Sequence, residues 1–328
     1  MTLSETRANG DESRMSSLGR YWTMAGSYRY RRANVLLTAD GMRSHVTITR
    51  RHSGLDRYYH FITDFVWPIY TWSALQSRDA QPRLSDAVSL GRQPLRFSGL
   101  FEEIFGVPLR ADQLRYRTML APFSRRAERV SCCNTLRRCY LEGFDDLAAA
   151  RADLARFNAY LETRFAAPPS ERATVTLIER EGGEADRGAT RRTVTNHKVV
   201  AEAIETFCSR NALAFRNVQL DGLSFAEQFR IFRTSRVIIG QHGAGLTNAL
   251  WLKPGAASLI ELAQRDTRDH FSNLSEDFGV AYARLTCPLA DASTPSQERI
   301  TVDPDAVVAQ LQAQLDVEHP GNVATGSD

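Results

Sequence analysis

The sequence is poor in lysine and shows no pairing pattern among its cysteines. Only Lys198 and Lys253 are lysines among the 41 basic residues, so arginine carries nearly all of the positive charge. The five cysteines are odd in number and have no Cys-x-x-Cys spacing, which gives no sign of a disulfide framework or a zinc site. We therefore expect free thiols.

Long apolar runs are also missing. No stretch approaches the roughly 18 uninterrupted apolar residues of a membrane span. Residues 1–30 are polar and rich in arginine, without the apolar centre of a signal peptide. These absences predict a cytoplasmic protein without a transmembrane segment.

The net charge of +3 is too small to indicate nucleic-acid binding, and we expect no nucleic-acid partner. Residues 110–138 are locally basic, with eight arginines against Asp112 and Glu128. Two interpretations are open for this segment. It forms either a solvated basic face, or a surface that attracts an anionic substrate or the periphery of a membrane.

The length of 328 residues, 43% of them hydrophobic, predicts about two domains. Residues 1–30 and 318–328 lack periodicity and are predicted to be mobile tails. The run Ala166-Ala-Pro-Pro-Ser170 interrupts the chain after a helical pattern, because paired prolines remove amide donors. We therefore predict an N-terminal domain over 31–165 and a C-terminal domain over 171–302.

The second half alternates between short apolar runs and amphipathic segments, which favours a parallel, doubly wound α/β sheet. Asn196 is in position to cap one helix, and Ser224-Phe-Ala-Glu227 has the pattern of a capping box for the next. The predicted strands cover residues 175–178, 215–220, 236–240 and 257–262.

The first half is predicted to form a second α/β domain. Strand-like segments at 46–49, 86–90 and 114–120 alternate with helical segments around 59–72 and 98–105. The sequence thus predicts two successive α/β domains.

A last helix is predicted over 303–317, and its apolar stripe could pack across both domains. Asp303-Pro-Asp305 matches the Asp-x-Asp pattern of metal-dependent transferases. A cap at Asp303 and a proline in the first turn explain the same residues without a metal.

The segment Gly240-Gln-His-Gly-Ala-Gly-Leu-Thr-Asn248 lies where a predicted strand gives way to a helix. Glycines there let the backbone approach a diphosphate, whose charge meets exposed amides and the helix dipole. A tight turn with a histidine packed in the core is the alternative. The residues expected to contact the anion are His242, Gly243, Ala244, Gly245 and Asn248.

Glu261 ends the following predicted strand, about twenty residues further on, where a carboxylate can accept hydrogen bonds from ribose hydroxyls. This arrangement fits a sugar-nucleotide site or a dinucleotide site. The glycine spacing is G-x-x-G-x-G rather than G-x-G-x-x-G, so an NAD-type oxidoreductase remains only the alternative.

Several segments resemble, in order, the pattern of glycosyltransferase family 61, over roughly residues 55–285. The family includes plant xylosyltransferases, animal enzymes that add N-acetylglucosamine, and bacterial polysaccharide proteins. The departures are His197, where many members have an acidic residue, and the insert 181–190. The matching segments are Arg180, Arg192-Thr-Val-Thr-Asn196, Ser224-Phe-Ala-Glu-Gln228, Val237 to Asn248, Pro254-Gly255 and Ile260-Glu261.

The resemblance implies a GT-B-like fold, in which two Rossmann-like domains face each other across a cleft. It also implies a nucleoside-diphosphate sugar donor, for which we expect UDP, and inversion at the anomeric carbon. It adds Arg180, Arg192 and Asn196 to the expected donor-binding residues. The acceptor would be a glycan or polysaccharide, such as a capsule. A non-catalytic module that only binds sugar nucleotides is a further alternative.

The segment Tyr58-Tyr-His-Phe-Ile-Thr-Asp64 resembles the family's N-terminal His-x-x-x-Asp motif. Four residues apart on a helix, His60 and Asp64 would share one face. Asp64 is the candidate base for the acceptor hydroxyl, with His60 as its orienting partner or as the base itself. A purely structural pair is the alternative, and the neighbouring aromatic residues are either core or sugar-stacking platforms.

Departure of the nucleoside diphosphate requires that its growing charge be neutralised. Arg180, His242 and the helix amides are the groups available for this. We therefore expect catalysis without an obligatory metal or other cofactor.

Overall fold

The structure is a computed structural model with two compact units, Met1–Tyr160 and Leu161–Asp328. The division falls inside a long helix, slightly before the predicted break at 166–170. The predicted tails, the strand at 114–120 and the insert 181–190 lie outside the described residues. The structure describes residues 35–40, 43–48, 57–75, 77, 81–89, 95–111, 128–130, 147–165, 173–180, 192–291 and 299–316.

The first unit contains a five-stranded mixed sheet in the order β4-β3-β2-β1-β5. β1 pairs antiparallel with β2 and β5, whereas β2, β3 and β4 are parallel. The predicted α/β character of this half is thus present, with antiparallel pairs that were not predicted. Its described elements are β1 Val35–Asp40, β2 Arg43–Ile48, α1 Tyr58–Phe61, α2 Trp67–Leu75, β3 Leu84–Ser89, α3 Ser98–Phe105, β4 Leu109–Ala111, β5 Glu128–Val130 and α4 Leu147–Phe165.

A π-helical turn, Ile62–Val66, connects α1 to α2 within one helical stretch. The aromatic side chains of this stretch divide into two groups. Phe61, Phe65, Trp67 and Tyr70 are at most 3% exposed, so they form core rather than sugar-stacking platforms. Tyr58 and Tyr59 are half-buried.

The second unit contains a five-stranded sheet in the order β7-β6-β8-β9-β10, and every neighbouring pair is parallel. This confirms the parallel, doubly wound sheet predicted for the C-terminal half. Its described elements are β6 Thr174–Glu179, α5 His197–Arg210, β7 Ala214–Gln219, α6 Phe225–Thr234, β8 Ser235–Gln241, a 3₁₀ helix Ala244–Trp251, β9 Ser258–Ala263, α7 His270–Asp277, β10 Ala281–Thr286 and α8 Pro304–Asp316.

The strand order of this sheet reverses at β6. The chain passes from β6 to β7 on one side, and then to β8, β9 and β10 on the other. Ligands of open α/β sheets bind outside the carboxyl ends of the strands at such a switch point. The loops after β6 and β8 are therefore the first place to look for a site.

The capping box of α6 is present as predicted. The Ser224 hydroxyl accepts from the Glu227 amide, and the Glu227 carboxylate accepts from the Ser224 amide. Asn196 precedes α5 as expected, but its side chain makes no capping bond. Its side-chain nitrogen instead donates to the carbonyl of Val302 at 2.7 Å, and its side-chain oxygen accepts from the amide of Val302 at 3.0 Å. The segment that contains Val302 thus runs beside the start of α5.

The last helix, α8, begins as its sequence indicates. The Asp303 carboxylate accepts from the amide of Asp305 at 3.0 Å, which confirms the capping interpretation of this motif. Val307 and Leu311 are fully buried in the core of the second unit. Packing of α8 across both domains stays a prediction.

The described residues also bear on the expectations for membrane-spanning segments, metal sites and thiols. Within the described ranges, no helix has the length and apolar character needed to cross a membrane. The same ranges contain no group of three or more histidine, cysteine or acidic residues suited to a metal ion. Cys208 and Cys287 are buried free thiols, as expected.

Candidate functional site

Two of the predicted anion-binding residues meet at the switch point of the second sheet. Arg180 follows directly after β6, and His242 follows directly after β8. One guanidinium nitrogen of Arg180, Nη1, donates to the carbonyl oxygen of His242 at 3.1 Å. The arginine thus lies across the turn that carries the glycines.

Each glycine of this turn has a close neighbour. A Cβ on Gly243 would lie 1.8 Å from Nη1 of Arg180, so no other residue fits there while Arg180 keeps its position. A Cβ on Gly245 would meet a methyl group of Leu220 at 3.1 Å. Close approach, rather than an unusual backbone angle, accounts for these two glycines.

The turn continues into the 3₁₀ helix Ala244–Trp251, which is narrower than an α-helix. Its first bond joins the amide of Leu246 to the carbonyl of Gly243 at 2.9 Å. Among the described residues, nothing accepts from the amides of Gly243, Ala244 and Gly245. Three successive donors are therefore available beside Arg180.

The side chain of His242 is held by a buried carboxylate. Nδ1 of His242 lies 2.5 Å from Oε1 of Glu261, and Glu261 is fully buried in β9. Its second oxygen, Oε2, accepts from the hydroxyl of Tyr282 and from Nε of Arg284, the latter at 3.2 Å. Both carboxylate oxygens are thus engaged within the protein.

Burial of Glu261 by itself favours its neutral form. The hydrogen bonds from His242 and Tyr282, together with the charges of His242 and Arg284, outweigh this and hold the pKa of Glu261 below its usual value. The carboxylate is therefore ionised at neutral pH and acts only as an acceptor. An ionised acceptor keeps a proton on Nδ1 of His242. Nε2 is then an acceptor in the neutral imidazole and a donor to a phosphate oxygen in the doubly protonated one.

Arg284 also holds the loop that follows β9. Its Nη1 donates to a carboxylate oxygen of Asp269 at 2.9 Å and to the carbonyl of Thr267 at 3.3 Å. Its Nη2 donates to the carbonyl of Arg268 at 3.3 Å. One guanidinium therefore ties this loop to the buried Glu261.

The residues at the start of α7 lie next to His242. The ring centroids of His242 and His270 are 6.5 Å apart, with planes inclined by 24°. Phe271 contacts His242 edge-on, with centroids 5.1 Å apart. The loop after β9 thus forms one side of the candidate site.

Asn248 is completely buried in the 3₁₀ helix. Its amide nitrogen donates to Gln228 at 2.9 Å, and its oxygen accepts from the indole of Trp251 at 2.8 Å. These bonds join the 3₁₀ helix to α6. A contact between Asn248 and a donor stays a prediction.

The other two predicted donor-binding residues lie before α5. Arg192 is half-buried, and the carbonyl of the next residue, Thr193, accepts from the amide of Ile300 at 3.0 Å. Asn196 pairs with Val302 as described above. His197, one of the departures from the family pattern, contacts the Asn217 side-chain oxygen through Nε2 at 3.0 Å. Contacts of Arg192 and Asn196 with a sugar nucleotide stay predictions.

The proposed catalytic pair belongs to the first unit. His60 is half-buried in α1, and its ring meets that of Tyr59 edge-on at 5.4 Å between centroids. Asp64 lies in the π-helical turn, and its side chain lies outside the described part of the structure. The contact between the two residues therefore stays a prediction.

Sequence reasoning missed Tyr282, Arg284 and His270. The first two are separated by one residue on β10, so they point to the same face of the sheet. Glu261 is the register partner of Arg284 on the neighbouring strand. An alternating polar pattern after the fourth predicted strand was the signal that could have identified them.

Comparison with known proteins places these observations in a family. The family model described as Glycosyltransferase 61 matches residues 58–259, which is more than half of the chain. A comparison with curated proteins found no match. The matched range includes Arg180, His242 and the glycines between β8 and the 3₁₀ helix. On this match, the chain belongs to glycosyltransferase family 61.

Proposed function

We propose that this protein is an inverting glycosyltransferase that moves a sugar from a nucleoside-diphosphate sugar, with UDP the expected nucleotide, to a hydroxyl of a glycan or polysaccharide. The observation that carries the proposal is the Arg180 guanidinium against the backbone of Gly243, beside His242. Arg180 and His242 occupy the switch point of a parallel sheet, where such folds bind nucleotides.

The groups of this turn match the chemistry of a diphosphate. Arg180 supplies permanent positive charge, and guanidinium–phosphate bonds are among the stronger hydrogen bonds. The amides of Gly243, Ala244 and Gly245 add neutral donors to the same turn. Such groups also stabilise the charge that develops on the leaving diphosphate, so they favour bond cleavage as well as binding.

Glu261 acts in this proposal through His242. Because the buried carboxylate holds Nδ1, the imidazole keeps one orientation. Nε2 is the remaining ring nitrogen, and in the doubly protonated imidazole it donates to a phosphate oxygen. Both oxygens of Glu261 already have partners within the protein. A contact between Glu261 and the ribose of the donor stays a prediction. Orientation of the imidazole explains the carboxylate more directly.

The acceptor side of the proposal rests on the family resemblance. Asp64 is the proposed base, with His60 as its orienting partner or substitute. Departures from regular α-helix such as the turn Ile62–Val66 are frequent at functional sites, which agrees with this assignment. The GT-B-like arrangement of the two units and a surface polysaccharide as acceptor are parts of the same proposal.

A panel of sugar nucleotides tests the function. We expect one class of nucleoside-diphosphate sugar to raise the melting temperature, since a ligand at a hundred times its Kd stabilises by about 2.7 kcal/mol. Release of the nucleoside diphosphate should then depend on an added glycan acceptor. Binding without acceptor-dependent release would favour the non-catalytic module, and stabilisation by NAD instead would favour the oxidoreductase.

Gly243→Ala tests the close approach of Arg180. The new methyl group would overlap Nη1 of Arg180, whose flexible side chain can swing away, so we expect little change in melting temperature. Displacement of the Arg180 side chain should weaken nucleoside-diphosphate binding about 10- to 100-fold, which corresponds to the loss of one charge-assisted hydrogen bond. Calorimetry measures this affinity.

Gly99→Ala is the matched control for this substitution. It adds the same methyl group to a helix of the first unit, where nothing lies within 4 Å. We expect unchanged binding in the control. Wild-type affinity in Gly243→Ala would remove Arg180 from the diphosphate site.

A further inference from the structure

His270 lies beside the proposed diphosphate site but belongs to none of the matching family segments. It is the first residue of α7, at the end of the loop that follows β9. Its ring centroid lies 6.5 Å from that of His242, and the two ring planes are within 24° of parallel. Two imidazoles from different loops thus line the same edge of the sheet.

Both imidazoles are positioned by the same buried carboxylate. Glu261 holds His242 directly through Oε1. Its Oε2 accepts from Arg284, whose guanidinium in turn binds the Asp269 carboxylate, one residue before His270. Charged hydrogen bonds therefore connect the residue before His270 to the carboxylate that holds His242.

The separation of the rings suits one phosphate group. Imidazole N–H groups donate in the plane of the ring, so two nearly parallel rings side by side can each direct one N–H group to the same phosphate, at N···O distances of about 2.8 Å. Arg180 reaches the turn that carries His242 from the end of β6, whereas His270 reaches it from the loop after β9, on the other side of β8.

We propose that His270 is a second donor-binding residue, which together with His242 holds one phosphate of the nucleoside diphosphate. This inference rests on the function proposed above. Asp269 and Arg284 are then positioning residues, because they act on the ligand only through His270 and His242. The loop after β9 thereby becomes part of the donor site.

Calorimetric titration with UDP tests the role of His270. We expect His270→Ala to weaken binding about 10- to 100-fold, as for loss of a charge-assisted bond. His270→Gln, which keeps an N–H donor, should recover most of this loss. In the double variant with His242→Ala, the combined loss should be smaller than the product of the single losses, because each imidazole depends on the other to hold the shared phosphate.

Arg265→Ala is the control, since it removes an exposed cation from the same loop. An equal loss in this variant would attribute the effect to general charge and overturn the inference. So would wild-type affinity in His270→Ala, or single losses that multiply in the double variant. In those cases the proposed function stands as long as the wild type binds UDP or another nucleoside diphosphate and Arg180→Ala does not. Failure of the wild type to bind any of them refutes both.

Discussion

Asp64→Asn is expected to lower the rate of sugar transfer by a factor of about 10² to 10⁴, the usual loss when general-base catalysis is removed. The amide keeps the size and much of the hydrogen bonding of the carboxylate but cannot take the proton of the acceptor hydroxyl. Donor affinity should barely change, because the residue is assigned to the acceptor. Initial rates at saturating donor, together with calorimetry, separate the two effects.

Asp221→Asn is a suitable control, since it makes the same chemical change at an exposed turn of the second unit. His60→Ala should reduce the rate less than Asp64→Asn if the histidine only orients the carboxylate, and more if the histidine is the base. An Asp64→Asn enzyme that transfers sugar at close to the wild-type rate would remove this residue from the mechanism.

Glu261→Gln should have the largest effect on stability. The substitution removes the negative charge of the fully buried Glu261 carboxylate, which Nδ1 of His242 and Nε of Arg284 both contact. Breaking a buried ion pair from one side typically costs about 3–5 kcal/mol, and we expect the free energy of unfolding to fall by about 3 kcal/mol at pH 7. Urea unfolding measures this change.

The effect of Glu261→Gln should also depend on pH. The pKa of Glu261 in the folded protein lies below its usual value. Its stabilising contribution is therefore complete above the unfolded pKa of about 4.3 and is lost as pH falls through the folded pKa. The difference between wild type and variant should shrink below about pH 4.

Glu202→Gln provides the comparison for this prediction. Glu202 is exposed and lies 3.9 Å from Lys198 in an ion pair along α5. Exposed pairs contribute about 0–1 kcal/mol, so its unfolding curve should hardly change. A Glu261→Gln variant as stable as the wild type at pH 7 would show that the carboxylate does not hold this part of the site together.

The fold of the second unit could be predicted because its local signals agree. Buried strands such as β8 read as continuous apolar runs, and the capping box at Ser224 marks the start of a helix between them. The fold of the first unit was harder to predict, because β1 pairs antiparallel with β2 and β5. The local sequence gives little sign of these partners or of their register. Pairing of this kind depends on distant contacts.

The candidate site could be predicted where polar residues and glycines follow directly after a predicted strand. Arg180, His242 and the glycines stand at strand ends, and the order of strands brings them together. Asn196 stands at the N-cap position as predicted, but its side chain bonds to Val302, a partner that is distant in the sequence. Arg284 was missed for the same reason, since its role depends on β10 lying next to β9.

The central claim is that the donor diphosphate binds to Arg180 and to the turn that carries His242. Calorimetry with UDP on the wild type, Arg180→Ala and His242→Ala tests it most directly. Arg210→Ala is the control, because Arg210 is exposed at the end of α5, near the opposite edge of the sheet. We predict that the first two variants bind about 10- to 100-fold more weakly, while the control binds like the wild type. Wild-type affinity in both Arg180→Ala and His242→Ala would contradict the account.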